Sequence, residues 1–287
     1  MLSRLFAILQ YLLPKFLLTS LVYRLARIRQ TATKNALISG FLKLYDVDLE
    51  EVRLNVPGDF ATFNDFFTRE LAPGARTIDT NPLSIAAPAD GTLSQAGFMR
   101  GDRLLQAKGI DYTLDDLLAT DLDKAREFDG GAFATIYLAP YNYHRVHAPL
   151  DGELVAAHYI PGDLFSVNSA TAAHVPGLFR RNERLNLHFI TAHGSMALIF
   201  VGALNVGSIS TPWTGEIRPR SSGVVESLDL MSFPCDVGKG DLLGWFNMGS
   251  TVIVLLPRDT CAWHESFKSG ETTRMGEAIG TLSSAGS

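Results

Sequence analysis

From about residue 84 onward the chain consists of short apolar runs separated by turn-forming residues, and this pattern limits the folds open to it. The runs span about four to eight residues and are bounded by Gly, Pro, Asp and Asn. Such spacing is typical of strands in a β-rich domain. The clearest runs cover residues 133–138, 196–201, 223–228 and 251–256. One helix is predicted to interrupt them at residues 114–128.

Two similar segments each place an Asp-Gly pair before an apolar run. They are Pro88-Ala89-Asp90-Gly91 and Pro149-Leu150-Asp151-Gly152. Asp and Gly favour the backbone conformations of tight turns, so both segments are predicted to lead into strands. The pattern alone does not select Asp90 or Asp151 as a catalytic acid.

The chain before this region is predicted to be helical. Apolar residues recur every three or four positions from Leu2 to Leu17, which indicates an amphipathic helix kinked near Pro14. Residues 36–70 continue a helical spacing, and Pro73-Gly74 ends it. The predicted fold class is therefore α+β, with a helical region at residues 1–75 and a β-rich catalytic body at residues 76–287. No low-complexity linker separates the two.

The helical region is basic, whereas the body is acidic. Residues 1–45 contain seven basic side chains and no acidic one, and the chain as a whole has a net charge of −5. The longest uncharged stretch, residues 5–14, is shorter than the roughly 20 residues that span a bilayer. Leu and Phe combined with Arg and Lys are typical of a helix lying in a membrane interface. The alternative is a helix that packs only on its own body.

Partners and location follow from the same composition. Aromatic residues are not interleaved with the arginines, so anionic lipid is favoured over nucleic acid. No small-residue cleavage site follows the first apolar run, which disfavours a signal peptide. Cys235 and Cys261 form no disulfide framework, and this favours a reducing compartment. We therefore expect a peripheral protein on the cytoplasmic side of the cell membrane.

Two histidines, His144 and His147, stand three positions apart and are candidates for general bases or metal ligands. The other five histidines are scattered, and neither an HExxH nor a CxxC pattern occurs. A zinc hydrolase therefore lacks recognisable further ligands, and we predict no metal. In an extended strand the two rings would point to opposite faces, whereas in a turn they could converge.

The Gly249-Ser250 pair directly precedes an apolar run. Its simplest interpretation is a turn entering a strand. It also has a chemical capacity, because the Ser250 hydroxyl can attack the Gly249 carbonyl and give an ester by an N-to-O acyl shift. Removal of the Ser250 α-proton then eliminates the upstream chain, and hydrolysis leaves a pyruvoyl group. This sequence of steps needs a base and an acid that orients the base.

Five segments in this order resemble the bacterial phosphatidylserine decarboxylases of the short, proteobacterial type. They are Phe66-Phe67-Thr68-Arg69-Glu70-Leu71, Pro88-Ala89-Asp90-Gly91, Tyr143-His144-Arg145-Val146-His147-Ala148-Pro149, Gly162-Asp163-Leu164-Phe165-Ser166-Val167-Asn168 and Gly249-Ser250-Thr251-Val252-Ile253. The chain departs from the family's usual pattern at Met248, where Leu is common. Since Met and Leu have similar volumes, the difference leaves the predicted cleavage intact.

The resemblance implies a role for each matched residue. Asp90 would orient His147, His147 would be the base in self-cleavage, and Ser250 would be the nucleophile at the Gly249–Ser250 bond. His144 would assist decarboxylation. Asp151 remains a turn residue. Phe165 and Ser166 would line the substrate site.

The resemblance further implies a lyase that converts phosphatidylserine in anionic membranes to phosphatidylethanolamine and carbon dioxide. Its cofactor would be a pyruvoyl group made from Ser250, in the electron-sink role that pyridoxal phosphate takes elsewhere, so neither pyridoxal phosphate nor a metal is expected. The precursor would yield chains 1–249 and 250–287, and a homodimer is left open.

Two other functions compete with this interpretation. One is a serine hydrolase using Ser250, His147 and Asp90, although no G-x-S-x-G elbow is present. The other is a non-enzymatic membrane-binding module in which the same residues are structural.

Overall fold

The computed structural model describes residues 2–107, 109–119, 125–230 and 234–283. The helices of this part are short, and most of them lie before residue 70. They are α1 (Leu2–Leu9), α2 (Lys15–Ala26), α3 (Thr31–Leu44), α4 (Phe63–Phe67), α5 (Leu114–Leu118), α6 (Ser169–Ala172) and α7 (Leu178–Arg181).

The strands of the described residues dominate the rest of the chain. They are β1 (Ser84–Ala86), β2 (Gly91–Phe98), β3 (Arg103–Ala107), β4 (Ile110–Thr113), β5 (Ala132–Leu138), β6 (Arg145–His147), β7 (Gly152–Ile160), β8 (Arg184–Thr191), β9 (Gly194–Val201), β10 (Ile209–Thr211), β11 (Gly215–Ile217), β12 (Glu226–Ser227), β13 (Asp236–Val237), β14 (Leu242–Phe246), β15 (Ser250–Leu256), β16 (Cys261–Trp263), β17 (Thr272–Thr273) and β18 (Ala278–Leu282). This mixture of helices and many strands is consistent with the predicted α+β class.

The largest sheet is antiparallel and has the strand order β12-β7-β8-β9-β15-β5-β2-β17, with β13 also pairing with β7. Strand β15 lies in its middle and pairs with β9 on one side and β5 on the other. All seven side chains of β15 are buried. A continuous apolar run therefore indicated this strand correctly, because both of its faces are covered by protein.

Three smaller sheets complete the body, with the orders β1-β18-β16, β11-β10-β14-β6 and β3-β4. The second of them places β6, which carries His147, beside β14, which leads to the Gly249-Ser250 pair. The prediction that both Asp-Gly segments lead into strands is confirmed, since Gly91 begins β2 and Gly152 begins β7.

The helix predictions were only partly right. The break near Pro14 is confirmed, because α1 and α2 are separate helices. The helical prediction for residues 36–70 was wrong beyond Leu44, since Tyr45 is extended and only five residues of α4 follow. Turn-forming Asp, Asn, Pro and Gly between them oppose a continuous helix. The predicted helix at 114–128 is not continuous: α5 ends at Leu118, residues 120–124 lie outside the described residues, and residues 125–126 are helical. The predicted strand at 223–228 is limited to β12.

Two hydrophobic cores organise the chain. The larger one fills the sheets of the body, and the smaller one is built from residues 26–67, with Met248 packed against it. Helices α1 and α2 attach to the body through Gln10, whose amide contacts Thr171 and the backbone of Ser166. Lys15 adds an ion pair with Asp163 at 3.0 Å.

Helices α1, α2 and α3 and the connection between α1 and α2 expose many large apolar side chains. They are Leu5, Phe6, Ile8, Leu9, Tyr11, Leu12, Leu13, Leu17, Leu21, Leu25 and Leu44. Among the described residues, none of the helices combines the length and the apolar character that crossing a membrane requires.

Candidate active site

Ser250 is the first residue of the central strand β15, and its backbone pairs with Leu138 of β5. The side chain is fully buried, and its hydroxyl has no hydrogen-bond partner among the described residues. A buried hydroxyl without a partner costs about 1–3 kcal/mol. The Thr251 hydroxyl is buried without a partner as well, so it is the position directly after Gly249 that makes Ser250 the candidate for an acyl shift.

Met248, two residues before Ser250, has an unusual backbone conformation. Met248 has a φ of 148°, a value that side-chain-bearing residues rarely adopt. Holding a residue in such a sparsely populated region costs on the order of 1–3 kcal/mol. Gly249 lies in open space, because no atom would come within 4 Å of a Cβ built on it. The bond before Ser250 therefore combines a strained neighbour with room for its atoms to move.

His147 is held at both ring nitrogens. Its Nδ1 lies 2.8 Å from the Gly240 carbonyl oxygen, which can only accept, so Nδ1 carries the proton. Nε2 then accepts from the Tyr143 hydroxyl at 3.1 Å. Burial lowers the pKa of His147, and it raises the pKa of Tyr143 to about 12. The pair is therefore a neutral imidazole and a protonated phenol at neutral pH.

Asp90 is buried at the turn before β2 and is engaged by groups other than His147. Its carboxylate accepts two hydrogen bonds from the Arg76 guanidinium, one of them at 2.9 Å, and a third from the Met275 backbone N–H at 2.9 Å. Among the described residues it makes no hydrogen bond to His147. Its charge still opposes the effect of burial by raising the pKa of His147.

The Asp90–Arg76 pair is part of a small charged network. Arg76 also pairs with Glu51 at 2.8 Å. Burial by itself would lower the pKa of Arg76, but the hydrogen bonds and charges of Asp90 and Glu51 raise it above its ordinary value. Asp151, in the equivalent turn, is exposed and accepts from the Lys239 backbone N–H at 2.6 Å. Burial therefore distinguishes two aspartates that the sequence pattern does not.

His144 is fully buried just before β6, and its ring stacks on Phe67 with a centroid distance of 4.1 Å. Its Nε2 lies 3.3 Å from the Pro140 carbonyl oxygen, so this nitrogen carries the proton. Its Nδ1 has no hydrogen-bond partner among the described residues. Burial, with a smaller contribution from the charge of Arg69, lowers the pKa of His144 to about 3.

The two histidines therefore lie in different surroundings. His147 lines a cavity of about 360 Å³ together with Tyr143, Arg145 and Arg76, whereas His144 is enclosed by protein. No three His, Cys, Asp or Glu side chains within the described ranges are grouped as potential metal ligands.

Phe165 and Ser166, predicted to line the substrate site, lie where the N-terminal helices attach. Phe165 is fully buried, with the Lys15 ammonium 3.8 Å above its ring and the Tyr11 ring at 4.9 Å. The Ser166 backbone N–H donates to Gln10 at 2.7 Å. These contacts account for both residues as helix anchors, and their role toward substrate stays a prediction.

Sequence reasoning missed several residues that shape the site. Arg76 and Tyr143 stand inside or beside the matched motifs, so a search for charged and phenolic neighbours of Asp90 and His147 could have found them. Phe67 also stands in a matched segment, whereas the Gly240 carbonyl left no sequence signal. Asn247 is a further case, because nothing in the sequence marks its buried hydrogen bonds.

The strand-rich fold and the bond between half-buried Gly249 and buried Ser250 define a candidate self-processing centre. A family model described as phosphatidylserine decarboxylase matches residues 63–281, and a second one, described as PSD, matches residues 5–46. A phosphatidylserine decarboxylase proenzyme of Methylococcus capsulatus is 46% identical over 97% of this chain and 96% of its own length. Proteins of the same name from Saccharophagus degradans and Psychromonas ingrahamii are each 44% identical, covering 97% and 96% of this chain and 97% of their own lengths. The chain belongs to the phosphatidylserine decarboxylase family.

Proposed function

We propose that this chain cleaves itself at the Gly249–Ser250 bond and then decarboxylates phosphatidylserine to phosphatidylethanolamine and carbon dioxide. Family membership supports the reaction. The observation that carries the self-cleavage is the buried Ser250 hydroxyl, which has no hydrogen-bond partner among the described residues and follows a strained Met248.

Self-cleavage begins when the Ser250 Oγ bonds to the Gly249 carbonyl carbon and the bond from that carbon to the Ser250 nitrogen breaks. The hydroxyl proton moves to the nitrogen, and an ester results. A base then removes the Ser250 α-proton, and the bond between Cβ and the ester oxygen breaks. Gly249 leaves as a carboxylate, and water hydrolyses the remaining imine tautomer of dehydroalanine with release of ammonia.

His147 is the base that we assign to this reaction. It is neutral at physiological pH because burial lowers its pKa, so it can accept a proton without first losing one. The Gly240 carbonyl fixes the tautomer that leaves Nε2 as the acceptor. Before Nε2 can accept a proton from Ser250, the hydrogen bond that it receives from the Tyr143 hydroxyl in this structure has to break.

Asp90 would support His147 by charge rather than by a direct contact. Its negative charge stabilises the imidazolium that forms when Nε2 takes a proton, and Arg76 holds the carboxylate in place. In a catalytic triad the acid also orients the histidine ring; in this chain the Gly240 carbonyl would do so.

The surroundings of Ser250 fit a pyruvoyl group. The group is small and uncharged. The position is fully buried in an apolar strand, and no described residue hydrogen-bonds to the Ser250 hydroxyl that the group would replace. When formed, it supplies the electrophilic carbonyl and the electron sink that decarboxylation of an amino acid needs.

His144 would assist the second reaction as a neutral group. Burial lowers its pKa to about 3, so the ring is a poor acceptor for the proton of the lipid ammonium. Its Nδ1, which has no partner among the described residues, would instead accept a hydrogen bond at the reacting centre.

The two chains would stay together after cleavage. Residues 250–283 contribute β15 to the middle and β17 to the edge of the large sheet, and β16 and β18 to a three-stranded sheet. Since β15 is hydrogen-bonded to β5 and β9 along its length, separating the chains would break the centre of the fold.

The N-terminal helices would hold the protein on an anionic membrane surface as a peripheral protein. Leu12 and Leu44 are 80% and 79% exposed, and they lie on helices or connections that also carry basic side chains. Apolar side chains inserted among acyl chains and cations near anionic headgroups bind such a surface together. The reducing setting expected from two isolated cysteines favours the cytoplasmic side for this surface.

A serine hydrolase is the less supported function. The relatives that match this chain over nearly its full length are named phosphatidylserine decarboxylase proenzymes, and the sequence has no G-x-S-x-G elbow. Among the described residues, His147 makes no hydrogen bond to Ser250, since both its ring nitrogens are engaged elsewhere.

The test compares wild type, Ser250→Ala and the control Ser227→Ala, which makes the same change at an exposed serine of β12. Wild type and Ser227→Ala should show two chains on denaturing electrophoresis and release carbon dioxide from phosphatidylserine vesicles. Ser250→Ala should remain one chain and release none. Decarboxylation by Ser250→Ala would exclude the proposal.

A further inference from the structure

Asn247 lies three residues before Ser250, and its side chain is fully satisfied although it is only 3% exposed. The amide nitrogen donates to the hydroxyls of Ser208 at 2.8 Å and Ser210 at 2.9 Å. The amide oxygen accepts from the Asn64 amide at 3.0 Å. The Asn247 backbone N–H also donates to the Ser208 carbonyl at 2.9 Å. Four hydrogen bonds therefore fix this residue.

The scissile bond lies between two fixed points. Asn247 is one of them, and Ser250, paired with Leu138 in the central sheet, is the other. Only Met248 and Gly249 connect them. Met248 has the φ of 148°, and Gly249 has open space beside its α-carbon. A strained conformation persists only where its surroundings impose it, and the anchor at Asn247 is the nearest such constraint upstream.

The anchor is itself held by the N-terminal helices. The Ser208 hydroxyl donates to the Glu216 carboxylate. Glu216 pairs with Arg27 at 2.6 Å and accepts from Tyr23 of α2 at 3.2 Å. Asn64, on the other side, belongs to α4. Hydrogen bonds thus link Tyr23 of α2, Arg27 directly after α2 and Asn64 of α4 to the Asn247 amide, next to the cleavage site.

We propose that Asn247 is a positioning residue for self-cleavage, which holds Met248 and Gly249 in the strained conformation from which Ser250 attacks. The inference rests on the proposed function. Its effect falls on the first step, in which the bond from the Ser250 Oγ to the Gly249 carbon forms and the bond from that carbon to the Ser250 nitrogen breaks. The new ester has freer torsions than the amide, so the strain at Met248 is relieved as the step proceeds.

The hydrogen-bond pattern requires an amide at this position. Ser208 already uses its single O–H donor on Glu216, so its oxygen must accept from residue 247. A carboxylate there has no proton to donate, and it would face Ser208 beside the charge of Glu216. Asn247→Asp, although equal in size, should therefore disturb the anchor as Asn247→Ala does.

The experiment follows full-length precursor after pulse labelling in cell-free translation and measures the rate of chain separation. Asn247→Ala and Asn247→Asp should each slow it by about tenfold or more, since loss of the held strain raises the barrier of the first step. Asn64→Ala and Ser210→Ala remove one hydrogen bond each and should give smaller reductions. The control is Asn186→Ala, an equally buried asparagine whose amide donates to Leu118 at 2.8 Å; it should cleave at the wild-type rate.

A second readout separates positioning from general destabilisation. Hydroxylamine cleaves esters but not amides, so the chain that it releases within seconds reports how much ester is present. Asn247→Ala should lower this ester fraction by about the same factor as the rate. If both Asn247 variants cleave within twofold of wild type, or if Asn186→Ala slows cleavage as much, the inference is wrong while the proposed function stands. A wild-type precursor that never separates would overturn both.

Discussion

Replacing His144 with phenylalanine should remove a specific part of the protein's sensitivity to acid. His144 is fully buried against Phe67, and burial lowers its pKa from 6.5 to about 3. In the unfolded chain the ring is exposed and takes a proton near pH 6.5. The unfolded state therefore binds more protons between these two values, and the free energy of unfolding falls as the pH is lowered from 6.5 to about 3.

The magnitude follows from the pKa difference. Each pH unit within the window costs about 1.4 kcal/mol for one proton. Between pH 7 and pH 4.5, His144 alone should lower the free energy of unfolding by roughly 2.5 kcal/mol. Phenylalanine does not titrate, and it can keep the stacking on Phe67. His144→Phe should therefore lose about 2.5 kcal/mol less stability than its parent over this interval.

The assay is equilibrium unfolding in urea at pH 7 and pH 4.5, performed in the uncleaved Ser250→Ala background so that one chain unfolds. Other titrating groups are common to both proteins and cancel in the comparison. The matched control is His174→Phe, which makes the same replacement at an exposed histidine. Equal losses of stability in His144→Phe and its parent would refute the assignment of a buried, neutral His144.

Two further perturbations address the base and the membrane surface. Tyr143→Phe removes the hydroxyl that lies 3.1 Å from the Nε2 of His147. Because a hydrogen bond of about 1 kcal/mol no longer has to break, chain separation should become up to about fivefold faster. The control is Tyr141→Phe at an exposed tyrosine, and slower separation in Tyr143→Phe would contradict the assignment of His147 as the base. Leu12→Glu removes a leucine of the helical region that is 80% exposed. Binding to phosphatidylserine vesicles in a flotation assay should weaken tenfold or more, since roughly 1.5–3 kcal/mol of leucine transfer free energy is lost. The same change at exposed Leu105 of β3 should leave vesicle binding unchanged, and equal effects of the two changes would exclude a membrane surface specific to the helical region.

Local sequence patterns were sufficient for the strands that build the site. The apolar run at 251–256 is continuous because β15 is covered on both faces. The Asp-Gly segments that lead into β2 and β7 are each only four residues long. These features depend on nearest neighbours, which a single sequence displays. The helical prediction for residues 36–70 failed between Leu44 and Phe63, because apolar spacing was given more weight than the turn-forming residues of that stretch.

The surroundings of the predicted catalytic residues could not be obtained in this way. His147 is held by Gly240, which lies 93 positions further along the chain, and the Asn64–Asn247 hydrogen bond spans 183 positions. Burial separates Asp90 from Asp151, and burial results from packing of the whole chain. The match to a known family selected Asp90, but the direct contact with His147 expected from the triad pattern is replaced by Arg76 and Gly240.

The most direct test of self-cleavage is the intact mass of the purified protein. Conversion of Ser250 to a pyruvoyl group predicts a large chain ending at Gly249 with a normal carboxylate. It also predicts a small chain, residues 250–287, that is lighter by one ammonia than the same peptide beginning with serine. A single mass equal to the full-length sequence, or a small chain that retains the serine mass, would contradict the account.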